Sequence, residues 1–122
     1  GPLVRLADLA HQLENLPERI LVRTYANFPV QEFDNNLIAL APETLLALAE
    51  LGVKLIGIDS ASIDPADSKS LDSHQLIRQR HMRVLENLLL DDVPEGDYEL
   101  IALPLKLMSA DASPVRAILR EL

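Results

Sequence analysis

The chain has 122 residues, 48% of them hydrophobic and only 3% aromatic, and a formal net charge of −8 with a pI near 4.7. That length predicts one domain burying roughly two-thirds of its unfolded surface, with a core of Leu, Ile, Val and Ala. The acidic balance argues against a nucleic-acid partner, because a phosphate backbone selects clustered Lys and Arg. No apolar run nears the ~20 residues of a membrane helix. The absence of cysteine excludes disulfides and thiolate metal sites and fits a cytoplasmic protein. Any metal must therefore be held by His and carboxylate.

In chain order, Leu6, Leu9, Leu13 and Leu16 fall at helical spacing with Asp8 and Glu14 outside the stripe, predicting an amphipathic helix over 5–15 that Pro17 ends. Ile20 to Tyr25 is short, β-branched and apolar, and predicts a strand. Pro29, Asp34, Asn35 and Asn36 make 26–41 a long loop. Pro42 in a first turn, a Leu/Ala body and Gly52 as a stop predict the next helix, and 53–59 (VKLIGID) a buried strand. Strand, crossover helix and strand form a βαβ unit, which should be parallel. Asp72 or Ser73 can cap a helix running to about His81. Val93 to Gly96 is a turn, and Tyr98 to Met108 is strand-like but interrupted by Pro104, which cannot donate to a ladder. A turn at Asp111 to Pro114 leads to a last strand from Val115 to Leu119. The expected class is α/β: a mixed β-sheet with flanking helices, in a single domain over 1–122. Apolar strands outnumber the helices available to cover them, which leaves two readings open: an upstream segment or another chain on the uncovered face, or a complete small fold.

Chemistry concentrates between Ile56 and Glu86. The loop from Asp59 to Ser68 follows the carboxyl end of a strand, where open α/β sheets bind ligands, although its Asp and Ser content is equally that of a solvated capping loop. His74 and His81 are seven apart, two turns along one helix face and too far for one ion; a hydrogen-bonded helix histidine is the plainer reading of each. Glu86 lies in VLENLLL, either at an exposed helix position or as a buried carboxylate that needs a partner or a metal. There is no Gly-rich phosphate loop and no nucleophile elbow.

Read together, LVRTYANFP at 21–29, GVKLIGIDSASIDPADSKSLDSH at 52–74, VLENLLLDDVPEGDYELIALPLKL at 84–107 and DASPVRAILR at 111–120 resemble the C-terminal part of the bacterial kynurenine formamidases, within the cyclase-like metal-dependent hydrolases. The resemblance implies a swivelling β/β/α fold, a dimer or larger homo-oligomer, and two divalent ions, usually zinc, per intact site. It implies hydrolysis of N-formyl-L-kynurenine to L-kynurenine and formate in tryptophan catabolism. It makes His74, closing DSKxxDxH, and Glu86, in LExL, metal ligands, and gives His81 no ligand role. Ser60-Ala61 stand where formamidases often have Thr-Pro, and Asn87 where many have Gly.

One motif of the family is missing. HxGTHxDxPxH, which supplies the remaining ligands and the histidine proposed as general acid/base, does not occur, and the only histidine before His74 is His11. The expectation is therefore the downstream portion of a longer protein, with no catalytic residue in this chain and the catalytic ones upstream. Two ligands fall short of the three that catalytic zinc usually has, so this chain alone should bind metal weakly and turn over little. Two alternatives are a cyclase-like hydrolase of another amide or lactone and a non-catalytic acidic assembly module.

Overall fold

In the computed structural model, which describes residues 1–122, the chain runs β1 (Leu3–Val4), a 3-10 helix (Leu6–Gln12), β2 (Arg19–Val22), β3 (Ala39–Leu40), α1 (Pro42–Glu50), β4 (Leu55–Ile58), α2 (Asp72–Gln79), β5 (Arg83–Leu85), β6 (Tyr98–Pro104) and β7 (Val115–Glu121). Its contacts gather into two units, Gly1–Asp91 and Asp92–Leu122, where the sequence suggested one domain.

Within residues 1–91 the expected βαβ unit is present: β2 and β4 pair in parallel, Arg19 opposite Leu55 and Val22 opposite Ile58. β5 adds to the other edge of β4, also in parallel, giving the order β2-β4-β5. A central parallel strand is covered on both faces and reads as a continuous apolar run. Accordingly Ile56 and Ile58 of β4 are fully buried. β1 and β3 form a second, two-stranded parallel sheet. The α/β class holds, with parallel and antiparallel pairing in separate sheets.

α1 begins where Pro42 is harmless, at the first helical position, and ends at Leu51, after which Gly52 takes φ +97°. Its Thr44, Leu45 and Leu48 are buried and its leucines join Val22, Ile56, Ile58, Ile63, Ile77 and Met82 in one core. The helix predicted over 5–15 is a shorter and tighter 3-10 turn with no buried residue. Its leucine stripe nonetheless packs as intended, Leu9, Leu13 and Leu16 lying partly buried against the core.

Residues 92–122 form the antiparallel β6–β7 hairpin, Tyr98 opposite Glu121 and Pro104 opposite Val115. Pro104 ends β6, as its missing N–H requires. No residue of this unit is buried. Leu103, Leu105, Leu107, Met108 and Ile118 are all exposed.

Candidate functional site

The carboxyl end of β4 delivers two buried carboxylates with different tasks. Asp59 is fully buried. One oxygen accepts the Thr24 N–H (2.8 Å) and hydroxyl (2.7 Å), and the other accepts the Tyr25 N–H (3.0 Å). Asp59 thereby ties the chain leaving β2 to the end of β4, and the three donors offset the cost of burying its charge.

Asp64, five residues on, is 2% exposed. One oxygen accepts the Ser73 N–H at 2.9 Å; the other accepts the His74 N–H at 3.0 Å and lies 2.6 Å from His74 Nδ1. Asp64 therefore caps α2 from a distance. The sequence suggested Asp72 or Ser73 for that role, but the N-cap position is Leu71, in the left-handed region at φ 52°. The Ser73 hydroxyl is used elsewhere, donating to the Leu40 carbonyl at 3.0 Å.

His74 lies in the first turn of α2, and its other ring nitrogen, Nε2, is 3.1 Å from Glu86 Oε2. Glu86 is the first residue after β5, so the parallel β4–β5 pairing brings it beside the loop that follows β4. The same Oε2 accepts the Ile63 N–H at 2.8 Å. Both side chains reach solvent, 33% exposed for His74 and 27% for Glu86. Asn87 holds the left-handed conformation at φ 59°, which glycine adopts without strain and Asn tolerates better than most residues. Its N–H donates to the Ser60 carbonyl, and the next N–H, of Leu88, to that of Ile58.

Partial burial pushes the His74 imidazole down, but the hydrogen bond to Asp64 and the negative charge of Glu86 outweigh it, so the ring titrates above its usual value. An imidazole nitrogen and a carboxylate oxygen are donors that zinc accepts, and at 3.1 Å apart both are within reach of one ion, given ligand bonds of about 2.0–2.2 Å. Asp64 faces the other ring nitrogen and is not a third donor. No group of three or more His, Cys, Asp or Glu side chains is arranged to hold an ion.

The structure thus brings His74 and Glu86 together and leaves the other histidines apart. His81 is exposed, just past the end of α2 at φ 54°, and His11 is exposed in the 3-10 helix. Asp64 was seen in the sequence only as part of a polar loop. Its partners begin nine residues downstream, and no capping pattern has that spacing.

A hollow of about 530 Å3 opens beside Asn87 and Ala61, lined also by Tyr25, Phe28, Phe33 and Asp34. Three of the chain's four aromatic residues meet here. Tyr25 and Phe28 pack edge to face, ring centres 5.7 Å apart. The Phe28 N–H is held by the Asp91 carboxylate at 2.9 Å. Burial and a 2.8 Å hydrogen bond to Asp34 push the Tyr25 hydroxyl up to about 12, so it remains protonated and a donor at neutral pH.

No family model matches the chain. Individual relatives do. The chain is 68% identical over 122 residues to a kynurenine formamidase of Delftia acidovorans, covering 100% of this chain and 58% of that protein. It is 66% identical to one of Paracidovorax citrulli, with 98% and 57% covered, and 60% identical to one of Bordetella avium, with 100% and 58% covered. Among solved structures, a potential metal-dependent hydrolase with cyclase activity superposes with a TM-score of 0.86 at 30% identity, over 100% of this chain and 61% of that one. A predicted metal-dependent hydrolase from Bacillus stearothermophilus superposes with a TM-score of 0.82 at 30% identity, over 98% and 57%. The chain has the fold of the cyclase-like metal-dependent hydrolases over this span, and all of its 122 residues match the C-terminal part of proteins named kynurenine formamidase, spanning little more than half their length.

Proposed function

We propose that this chain is the C-terminal portion of a metal-dependent formamidase that hydrolyses N-formyl-L-kynurenine to L-kynurenine and formate. The observation that carries this reading is the pairing of His74 Nε2 with Glu86 Oε2 at 3.1 Å, in a chain 60–68% identical to proteins named for that activity. His74 and Glu86 are half of a metal site whose other ligands, and whose general acid/base, come from the upstream portion of the protein. The bound metal, zinc in this proposal and two ions per intact site, would supply a water of lowered pKa and polarise the formyl carbonyl.

The chain's own residues do the rest. Glu86 presents Oε2 while the Ile63 N–H fixes that oxygen in place. His74 is anchored at the start of α2 by the same loop. The hollow beside Asn87 offers aromatic walls to an arylamine, and offset or edge-to-face packing of rings there would orient the formyl group toward the pair. Two protein ligands are fewer than catalytic zinc uses, so the chain alone binds metal weakly and is inactive. The exposed apolar residues of the β6–β7 hairpin support assembly as a homodimer or larger, and the cysteine-free sequence a cytoplasmic setting. No helix is long and apolar enough to cross a membrane.

A second reading, hydrolysis of another amide or a lactone, is favoured by the structural likeness to a potential hydrolase with cyclase activity, and by Asn87 where many formamidases have Gly. The deciding experiment is release of L-kynurenine from N-formyl-L-kynurenine with added zinc, by this chain and by one extended upstream to include the histidine-rich motif. Activity in the longer chain alone is expected. Activity in neither would overturn the formamidase reading, and activity in the short chain would overturn the divided site.

A further inference from the structure

We infer that Asp64 is a positioning residue for the metal ligand His74, holding the ring in the tautomer that leaves Nε2 free to bind. The inference rests on the reading of His74 as a ligand. Its basis is geometric. The Asp64 carboxylate is 2% exposed and meets three groups: the Ser73 N–H, the His74 N–H and His74 Nδ1. The two backbone groups can only donate, so the carboxylate is held there as an acceptor. At 2.6 Å from that oxygen, Nδ1 must carry a proton, because two lone pairs at such a distance would repel. Both ring nitrogens face a carboxylate, and the single proton of the neutral ring stays with the shorter, buried contact at Nδ1. That leaves the lone pair on Nε2, 3.1 Å from Glu86 Oε2, where a cation between the two would relieve their repulsion.

The same carboxylate also fixes where the ring stands. By capping the first turn of α2 through the Ser73 and His74 N–H groups, it sets the position of the His74 backbone as well as the ring's orientation. One buried group thereby couples the start of the helix to the direction of the ligand, and a carboxylate on the far nitrogen raises the basicity of the ligating one. Glu86 is steadied independently, by the Ile63 N–H, so the two donors face each other on separate supports.

The test reads the His74 ring directly. Long-range proton–nitrogen correlation spectra of the metal-free chain, at a pH where the ring is neutral, should show Nδ1 protonated and Nε2 bare. In Asp64→Ala the proton should move toward Nε2, the form free histidine prefers, and zinc affinity measured by calorimetry should fall about 10–100-fold. Ser73→Ala is the control for a merely structural role. It removes the hydroxyl bond to Leu40 at the same helix start without touching the ring, so it should lower stability yet leave the tautomer and zinc affinity within about twofold. Should Asp64→Ala fail to fold, the wild-type spectrum still decides, because a proton on Nε2 there overturns the proposal. Unchanged zinc affinity in a folded Asp64→Ala does the same. An Nδ1–H ring that is lost in Asp64→Ala, in a chain whose wild type binds no zinc, keeps the positioning and overturns the metal reading.

Discussion

Residues 1–91 and residues 92–122 are stabilised differently. In the first, Ile56, Leu45 and Leu48 are fully buried and two buried carboxylates, Asp59 and Asp64, have every oxygen engaged by donors. In the second no residue is buried, and the hairpin rests on its ladder and exposed pairs such as Arg120 with Glu99. Burial is what holds a fold in water, and an isolated two-stranded hairpin is marginal. The proposed ligands His74 and Glu86 lie in the first of these, among the hydrogen bonds that hold the loop after β4. The hairpin instead offers apolar side chains to whatever surface it meets.

That contrast is broken most directly by matched truncations. Ile56→Ala empties a site at the centre of the core and should cost about 2–5 kcal/mol, whereas Ile118→Ala, 51% exposed on β7, should change stability by no more than about 0.5 kcal/mol. Urea unfolding followed by circular dichroism measures both, and equal losses would deny the division. Asp59→Ala comes next. It leaves the Thr24 and Tyr25 donors without their acceptor and should cost roughly 2–3 kcal/mol, while Glu99→Ala on β6 should cost less than about 1 kcal/mol, as exposed ion pairs do.

A pH series sharpens the account of the site. His74 titrates above its usual value in the folded chain, so the folded state binds that proton more tightly than the unfolded one. Its contribution to stability is fully present below the unfolded pKa of about 6.5 and is lost as pH rises through the folded value. Relative to a His74→Gln variant, the urea midpoint of the metal-free wild type should therefore decline across that window. If His74 is a zinc ligand, as proposed, zinc binding should have the opposite sign and strengthen over the same range, because proton and metal would compete for one nitrogen. The smallest effect is at Asn87. With φ at 59°, Asn87→Gly should shift stability by no more than about 0.5 kcal/mol, and Asn87→Val should lose about 1–2 kcal/mol to backbone strain.

Much of this was readable from residues. Pro42 and Gly52 bracket α1, the VKLIGID run contains β4, and Pro104 marks the end of β6, because each signal is local. β1 and β3 were missed because two residues carry no period. β5 was missed because VLENLLL offers helix and strand alike; its three residues are a strand only by pairing with β4. At the site, spacing alone left His74 and Glu86 open, twelve residues apart on different elements, and the resemblance nominated them together. Asp64 stayed hidden because its work is done at a distance, across a loop rich in residues that usually cap themselves.

The central claim is that His74 and Glu86 share one ion, and calorimetric titration of the chain with zinc tests it most directly, alongside Glu86→Gln and His74→Ala. Glutamine keeps an oxygen for the Ile63 N–H, so Glu86→Gln separates lost ligation from lost structure. The account predicts weak binding by the wild type, at least about tenfold weaker in each variant, with metal-free stability of Glu86→Gln within about 0.5 kcal/mol of wild type. Zinc affinity unchanged in both variants would contradict it.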